Sequence, residues 1–230
     1  AALRGRQPEE TPLPGGSDLR LLVPENVVLD DLDDAVDRNF EASLTGLERA
    51  GVRIERRRLP LLDEVVATTM QLGTLAAAEA YAHYRDVLEG SDVDKMDRRV
   101  AARMLAGKSM NADDIAAIRD ARSRLASELA DALDGAFLAM PTVPHTAPEI
   151  APLEADDELF HRMNMKTNRN ASIGNFLGTP GVAMPNGVDH GGLPTSFLLS
   201  AIAHDDDRLL AAGRAIERII DDVRGVTEAP

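Results

Sequence analysis

Two short strands with one amphipathic helix between them constrain the fold of this chain more than any other feature. LRLLV at 19 to 23 reads as an apolar strand, and LDDLDDAVDRNFEASLTGLERAG follows it with Leu32, Val36, Phe40, Leu44 and Leu47 at helical spacing. Aspartates fill the first turn, where they face the positive end of the helix dipole, and Gly51 supplies the stop. VRIERRRLP then carries Val52 and Ile54 in a charged alternation that ends at Pro60. Strand, helix and strand of these lengths pack as a right-handed parallel crossover in nearly all proteins. The chain is thereby directed toward an α/β architecture.

The rest of the sequence continues the alternation. From Leu61 to Leu133 the pattern is helical, as an insertion between strands, and NADD opens its last helix with Asn111 placed to cap and Asp114 placed to answer it three residues on. Ile118, Arg122, Leu125, Leu129 and Ala132 line one stripe of that helix. AFLAMPTVP, at 136 to 144, returns to an apolar strand ended by prolines. A further helix is expected from about Asp157 to Phe176, GVAMP and TSFLLSAI read as strands, and HDDDRLLAAGRAIERIIDDVRG reads as a closing helix. Its inner face holds Leu209, Gly213, Ile216 and Ile220, and Arg224 with Gly225 marks its end. Pro8, Pro12, Pro14 and Gly15-Gly16 interrupt the first eighteen residues, which read as a connector into a domain at 19 to 222, with 223 to 230 as a tail.

Composition excludes several function classes. With 44% hydrophobic and 28% charged residues in 230, the chain can bury a sizeable core. A formal charge of -14 repels phosphate backbones and anionic lipid, so neither nucleic acid nor a membrane surface is an expected partner. There is no cysteine, hence no disulfide framework or thiolate site. No apolar run reaches transmembrane length and no signal-peptide core opens the sequence, so a cytoplasmic protein is the default expectation.

NASIGNFLGTPGVAMPNG, at 170 to 187, is the densest run of chain breakers. Gly174 and Gly178 stand four apart, which permits close approach to another backbone, and Gly178-Thr179-Pro180 then stops the helix. Plain punctuation explains the same residues. NASIG misses the nucleophile-elbow pattern by one residue, and the helical pattern before Ser172 contradicts the strand an elbow needs. Lys108-Ser109 is a serine beside a base, but adjacent residues diverge by about 100° on a helix. His83, His145, His161, His190 and His204 lack metal-ligand spacing, and HDDD at 204 to 207 is an acidic helix start. No metal or cofactor is expected.

In their order, these features resemble the carboxyl-terminal half of the amidase signature family. An apolar strand ending in PTVP, a helix, and the run Gly174, Asn175, Gly178, Pro180 are followed by Pro185 and Gly187, by Gly192-Leu193-Pro194, and by a last helix with Leu209, Leu210 and Glu217. LRLLVP, AGVRIERRRLP and GKSMNADDIAAIRDARSRL agree with the middle section of the same family. The resemblance implies a mixed, largely parallel twisted sheet covered by helices, and hydrolysis or transfer of an amide nitrogen by a serine nucleophile, a cis-serine and a lysine base. Those groups belong to a glycine- and serine-rich section with no counterpart among the nine scattered serines here. No catalytic residue is therefore assigned.

By position in the family, Thr142, Val143, Pro144 and His145, with Asn168, Asn170 and Asn175 on the helix, are expected to face a small amide substrate; each asparagine has capping or a polar core contact as its alternative. In the same family, members acting on glutamine carry an acidic residue near Asn168, so the amide there argues against glutamine-dependent transfer to tRNA, and NRNASIGNFLG is closer to subgroups acting on small amides and urea-like compounds such as biuret derivatives. Two functions stay open: the carboxyl-terminal part of an amidohydrolase, inactive alone, whose partner is its amino-terminal half; or a non-catalytic interaction subunit that binds a partner chain. A homodimer is also open.

Overall fold

A computed structural model of the chain describes residues 13–227, so the connector expected at 1 to 18 lies largely outside the described residues. After a 3-10 turn at Gly16–Asp18 come β1 (Arg20–Pro24), α1 (Asp34–Arg49) and β2 (Arg53–Arg57). β1 and β2 pair in parallel from Arg20 opposite Arg53 to Pro24 opposite Arg57, as the crossover pattern requires. The helical stretch comprises α2 (Pro60–Leu72), α3 (Leu75–Leu88), α4 (Arg98–Leu105) and α5 (Ala112–Leu133), with short 3-10 turns between α3 and α5. β3 (Phe137–Pro141), α6 (Ile150–Ala155), α7 (Asp157–Leu177), β4 (Gly181–Val188), β5 (Pro194–Ser200) and α8 (Asp206–Thr227) complete the chain. α8 continues two residues past Gly225, which stays inside the helix instead of ending it.

The five strands form one sheet in the order β2-β1-β3-β5-β4. β1 pairs in parallel with β2 and β3, while β5 runs against both β3 and β4, so four strands share one direction and β5 alone opposes them. From β1 the chain moves outward to β2 and then returns to the other side as β3. The strand order therefore reverses between β1 and β3, the place where open α/β sheets form a crevice at the carboxyl ends of their strands.

Alternation along the strands separates two cores. Leu21, Val23, Phe137 and Ala139 face α1 and α8, packing with Phe40, Leu44, Leu209, Ile216 and Ile220. Leu22, Leu138 and Met140 face the other way, onto Leu62 and Val65 of α2, Leu125 and Leu129 of α5, and Ile173 and Leu177 of α7. The period of two in each strand thus sorts its side chains between two helical layers.

Local chemistry sets the ends of these elements. Asn111 accepts from the N–H groups of Asp113 and Asp114 while the Asp114 carboxylate accepts from the Asn111 N–H, a complete capping box at α5. Asp156 caps α7 through Glu158 and Leu159. At the other end of α7, Gly178 adopts φ 71° and Thr179 N–H reaches back to the Gly174 carbonyl at 3.0 Å, the glycine-terminated turn that satisfies orphan carbonyls. A Cβ on Gly174 would lie 3.1 Å from Thr179 Oγ1, so this glycine accommodates its own turn. Gly187 is a different case: it follows a register shift in β4, has φ 151°, and a Cβ there would come within 2.7 Å of the Asn39 carboxamide. That close approach lets Asn39 donate to Thr195 Oγ1 at 2.9 Å, while Thr195 donates to Asn186 and Ser43 accepts from it, a polar network buried between α1 and the hairpin.

Candidate active-site wall

The crevice between β1 and β3 is bordered by two loops, residues 25–33 after β1 and residues 142–146 after β3. Both are held by side chains from several elements. Thr142 N–H donates to the Ser196 carbonyl of β5 at 3.0 Å, Asp33 N–H donates to the Pro144 carbonyl at 2.8 Å, and Thr146 N–H donates to Asp33 Oδ2 at 3.2 Å. Asp189 accepts from the Gly191 and Leu193 N–H groups, each at 2.8 Å, and its carboxyl is held below the usual aspartate range by the Leu193 N–H foremost. The first loop is closed from the other side by Asn26, which accepts from Leu59 N–H at 2.8 Å and donates to the Leu59 carbonyl.

Pro144 and His145 are buried, whereas Thr142 and Val143 remain partly accessible. His145 places Nδ1 2.7 Å from the Thr146 carbonyl and Nε2 2.8 Å from Thr167 Oγ1. A carbonyl only accepts, which puts a proton on Nδ1; Nε2 then accepts, and the one proton of the Thr167 hydroxyl is shared between Nε2 and the Met163 carbonyl, 2.7 Å from Oγ1. Thr142 Oγ1 is buried with no hydrogen-bond partner among the described residues. A hydroxyl both donates and accepts, so either kind of partner would satisfy it.

The three asparagines of α7 separate. Two residues along a helix turn it by roughly 200°, so Asn168 and Asn170 lie on opposite faces. Asn170 has no exposed surface; its amide donates to the Val28 carbonyl at 3.0 Å and the Pro141 carbonyl at 2.8 Å, and its Oδ1 accepts from Arg169 Nε at 3.2 Å. Its carboxamide sits between the two loops with both donors engaged, the polar core contact its residue type allows. Asn168 is exposed and donates to the Asn164 carbonyl at 2.7 Å. Asn175 is exposed as well, and its backbone carbonyl accepts from Arg122. Of the seven positions, the structure thus brings Thr142, Val143, Pro144, His145 and Asn170 together and leaves Asn168 and Asn175 on the outer side of α7.

Several residues of this region carry no motif. Lys166 Nζ lies 2.9 Å from Asp31 and 3.6 Å from Asp33, and its hydrogen bond lowers the Asp31 carboxyl below the usual range. Arg169 donates to the Asp30 carbonyl, and burial of its side chain pulls its guanidinium below the ordinary arginine range. The available signal was the stripe Asn170, Ile173, Leu177, which marks the sheet-facing side of α7. Elsewhere, Ser172 is exposed within the continuous helix α7 and has no strand before it, Lys108 pairs with Glu89, Ser109 donates to the Ala106 carbonyl, and Asp205 of HDDD accepts from Arg208. Among the described residues no three His, Cys, Asp or Glu side chains converge to hold a metal ion, and no helix is long and apolar enough to cross a membrane.

A doubly wound sheet with its loops gathered at the strand-order reversal defines an α/β protein whose candidate site lies at the carboxyl ends of β1 and β3. The family model for Amidase matches residues 14–210, and the chain belongs to the amidase family. It is 29% identical over 215 residues to 2-amino-5-chloromuconic acid deaminase of Comamonas testosteroni, covering 92% of this chain and 46% of that protein. It is 27% identical over 240 residues to indoleacetamide hydrolase of Agrobacterium vitis, covering 95% of this chain and 50% of that protein. A glutamyl-tRNA(Gln) amidotransferase subunit of Thermotoga maritima superposes with a TM-score of 0.64 at 27% identity, over 89% of this chain and 43% of that one. Allophanate hydrolase of Kluyveromyces lactis gives a TM-score of 0.74 at 18% identity, over 92% of this chain and 34% of that one, a likeness of fold alone. The chain spans about half the length of the curated relatives it matches.

Proposed function

We propose that this chain is the carboxyl-terminal part of a hydrolase acting on the carbon–nitrogen bond of a small amide. It completes the sheet and supplies one wall of the substrate pocket, while the serine nucleophile, the cis-serine and the lysine base come from residues outside it. The observation that carries this reading is the place of Thr142 and Val143: they follow β3 directly at the strand-order reversal, inside the segment matched by the amidase family, and the Thr142 hydroxyl is buried without a partner among the described residues. Relatives at 27–29% identity include a deaminase and an indoleacetamide hydrolase, names that share the cleavage of a carbon–nitrogen bond. Asn168, exposed on α7, and Asn175 would meet the substrate only from the outer side of that helix, so the wall rests chiefly on residues 142–145, backed by Asn170. Small amides, biuret-type compounds among them, are the substrate class this reading proposes.

Two measurements test the reading. The chain alone is expected to release no ammonia from acetamide or benzamide; release that is abolished by Ser172→Ala would overturn the assignment of the nucleophile to other residues. Benzamide titrated into labelled chain is expected to shift the Thr142 and Val143 amide resonances, and their indifference would remove the wall.

A second reading, a non-catalytic subunit that binds a partner chain, draws on the edge strand β4. Its sequence Gly181–Val188 contains no charged residue, unlike the opposite edge Arg53–Arg57. The intact mass of purified material separates the readings: a species well above 24.7 kDa, or a co-purifying chain, locates the partner.

A further inference from the structure

Four neighbouring residues of α7 reach both loops of the crevice. Lys166 pairs with Asp31 and Asp33, and Arg169 donates to the Asp30 carbonyl, so this pair holds the loop after β1. Thr167 meets His145 at the far end of the loop after β3, while Asn170 holds its near end at the Pro141 carbonyl and the other loop at the Val28 carbonyl. Thr167 and Asn170 are three apart and thus share a helix face, one turn from one another. The loop after β1 is not in a relaxed conformation of its own: Val27 has φ 65° and Asp31 φ 49°, backbone states that a β-branched residue and a non-glycine residue adopt only when surroundings impose them.

We infer that residues 166–170 of α7 form a clasp that sets the separation of the loops at 25–33 and 142–146, with Thr167 and Asn170 as positioning residues for the pocket wall. This rests on the amide-site reading above. Neither side chain touches substrate. Thr167 acts through His145, whose ring fixes the end of the loop that begins with Thr142, and Asn170 acts through two main-chain carbonyls. The Asn170 carboxamide can bridge two carbonyls because it offers two N–H donors from one nitrogen, a capacity no hydroxyl or carboxylate has. Its burial makes that bridge obligatory, since either carbonyl left without a donor in a dry site carries a desolvation penalty.

The test uses the labelled 230-residue chain and the variants Thr167→Val, Thr167→Ser and Asn170→Asp, with Ser172→Ala on the exposed side of the same helix as control. Amide hydrogen exchange at Asp33 and Thr146, the two N–H groups that tie the loops to each other, is compared with Leu138 and Leu199 in the sheet. Thr167→Val is expected to speed exchange at Asp33 and Thr146 roughly tenfold and to leave the sheet within about twofold, with Asn170→Asp larger in the same direction. Thr167→Ser, which keeps the hydroxyl, is expected to recover most of the protection, and Ser172→Ala to change nothing. Benzamide affinity read at Thr142 is expected to fall several-fold in Thr167→Val and to return in Thr167→Ser. Equal acceleration in loops and sheet, or none in the loops, overturns the clasp; should Asn170→Asp not fold, Thr167→Val with its serine rescue decides. A wild-type chain that ignores benzamide while the loop-specific exchange pattern holds would overturn the amide site and support the clasp as the lock of these loops.

Discussion

Residues 75–109 and the crevice between β1 and β3 are built by opposite means. In α3 only Leu88 is buried, in α4 only Ala101, and in the 3-10 turn that follows only Gly107. The region is joined mainly by exposed polar contacts: Glu89 accepts from Tyr81 at 2.5 Å and pairs with Lys108 at 2.9 Å and Arg85 at 3.3 Å, while Arg98 pairs with Asp157 at 2.7 Å. At the crevice, Leu22, Leu138, Met140, Ile173 and Leu177 pack in the buried core and the polar groups among them, Asn170 and His145, are buried and bonded. Exposed ion pairs contribute about 0–1 kcal/mol each, whereas a fully buried leucine contributes about 2 kcal/mol from transfer alone. The difference assigns rigidity to the candidate wall and leaves the helical excursion as the part that opens first.

The comparison can be broken by truncation. Leu138→Ala removes a side chain of the crevice core that is 1% exposed, and is expected to cost about 2–5 kcal/mol in urea unfolding. Tyr84→Ala, at a side chain 41% exposed in α3, is expected to stay within about 0.5 kcal/mol. Similar costs at the two positions would remove the distinction. Asn170→Ala leaves the Val28 and Pro141 carbonyls without their donor, and a loss of about 2–4 kcal/mol by the same measurement is expected.

A more local effect is expected at Gly107, where a Cβ would clash with the Ala77 carbonyl oxygen and lie 2.9 Å from Tyr81 Cβ. Gly107→Ala should push the turn away from α3, quickening amide exchange in α3 and α4 while β1 and β3 keep their protection. Equal loosening of the sheet would show that the excursion is not an independent unit. The smallest effect concerns pH. Glu89 is lowered from 4.5 to about 2, first by the Tyr81 hydroxyl and then by Lys108 and Arg85. A carboxylate with a lowered folded value stabilises the fold above its unfolded value, and that contribution disappears as pH falls from about 4.5 toward 2. Exchange near Glu89 and Lys108 is expected to accelerate across that window in wild type and to lose this acid step in Glu89→Gln.

Much of this organisation was legible in the residues. The helical stripe Val36, Phe40, Leu44 and Leu47, the capping residues Asn111 and Asp114, and Gly178 at the end of α7 each act where their chemistry places them. The candidate wall was legible only in part. Asn168, Asn170 and Asn175 are alike as residue types, yet helical geometry divides them, and the buried stripe of Ile173 and Leu177 selects Asn170 as the one turned inward. Gly174 offered a place for close approach to another backbone, but the atom nearest its missing Cβ is Thr179 Oγ1 in the same turn.

By itself, then, the sequence determined the order of the elements, their caps and breaks, and the parallel pairing of β1 and β2, because propensity, periodicity and end-capping act over a few residues. Only the tertiary structure decided which polar groups would be buried and satisfied. The partners of Asn170 lie 29 and 142 residues away, and those of His145 and Thr167 lie 22 apart, distances over which no local pattern carries information. Burial removes water as an alternative partner, so these bonds exist only because the sheet brings their two ends together.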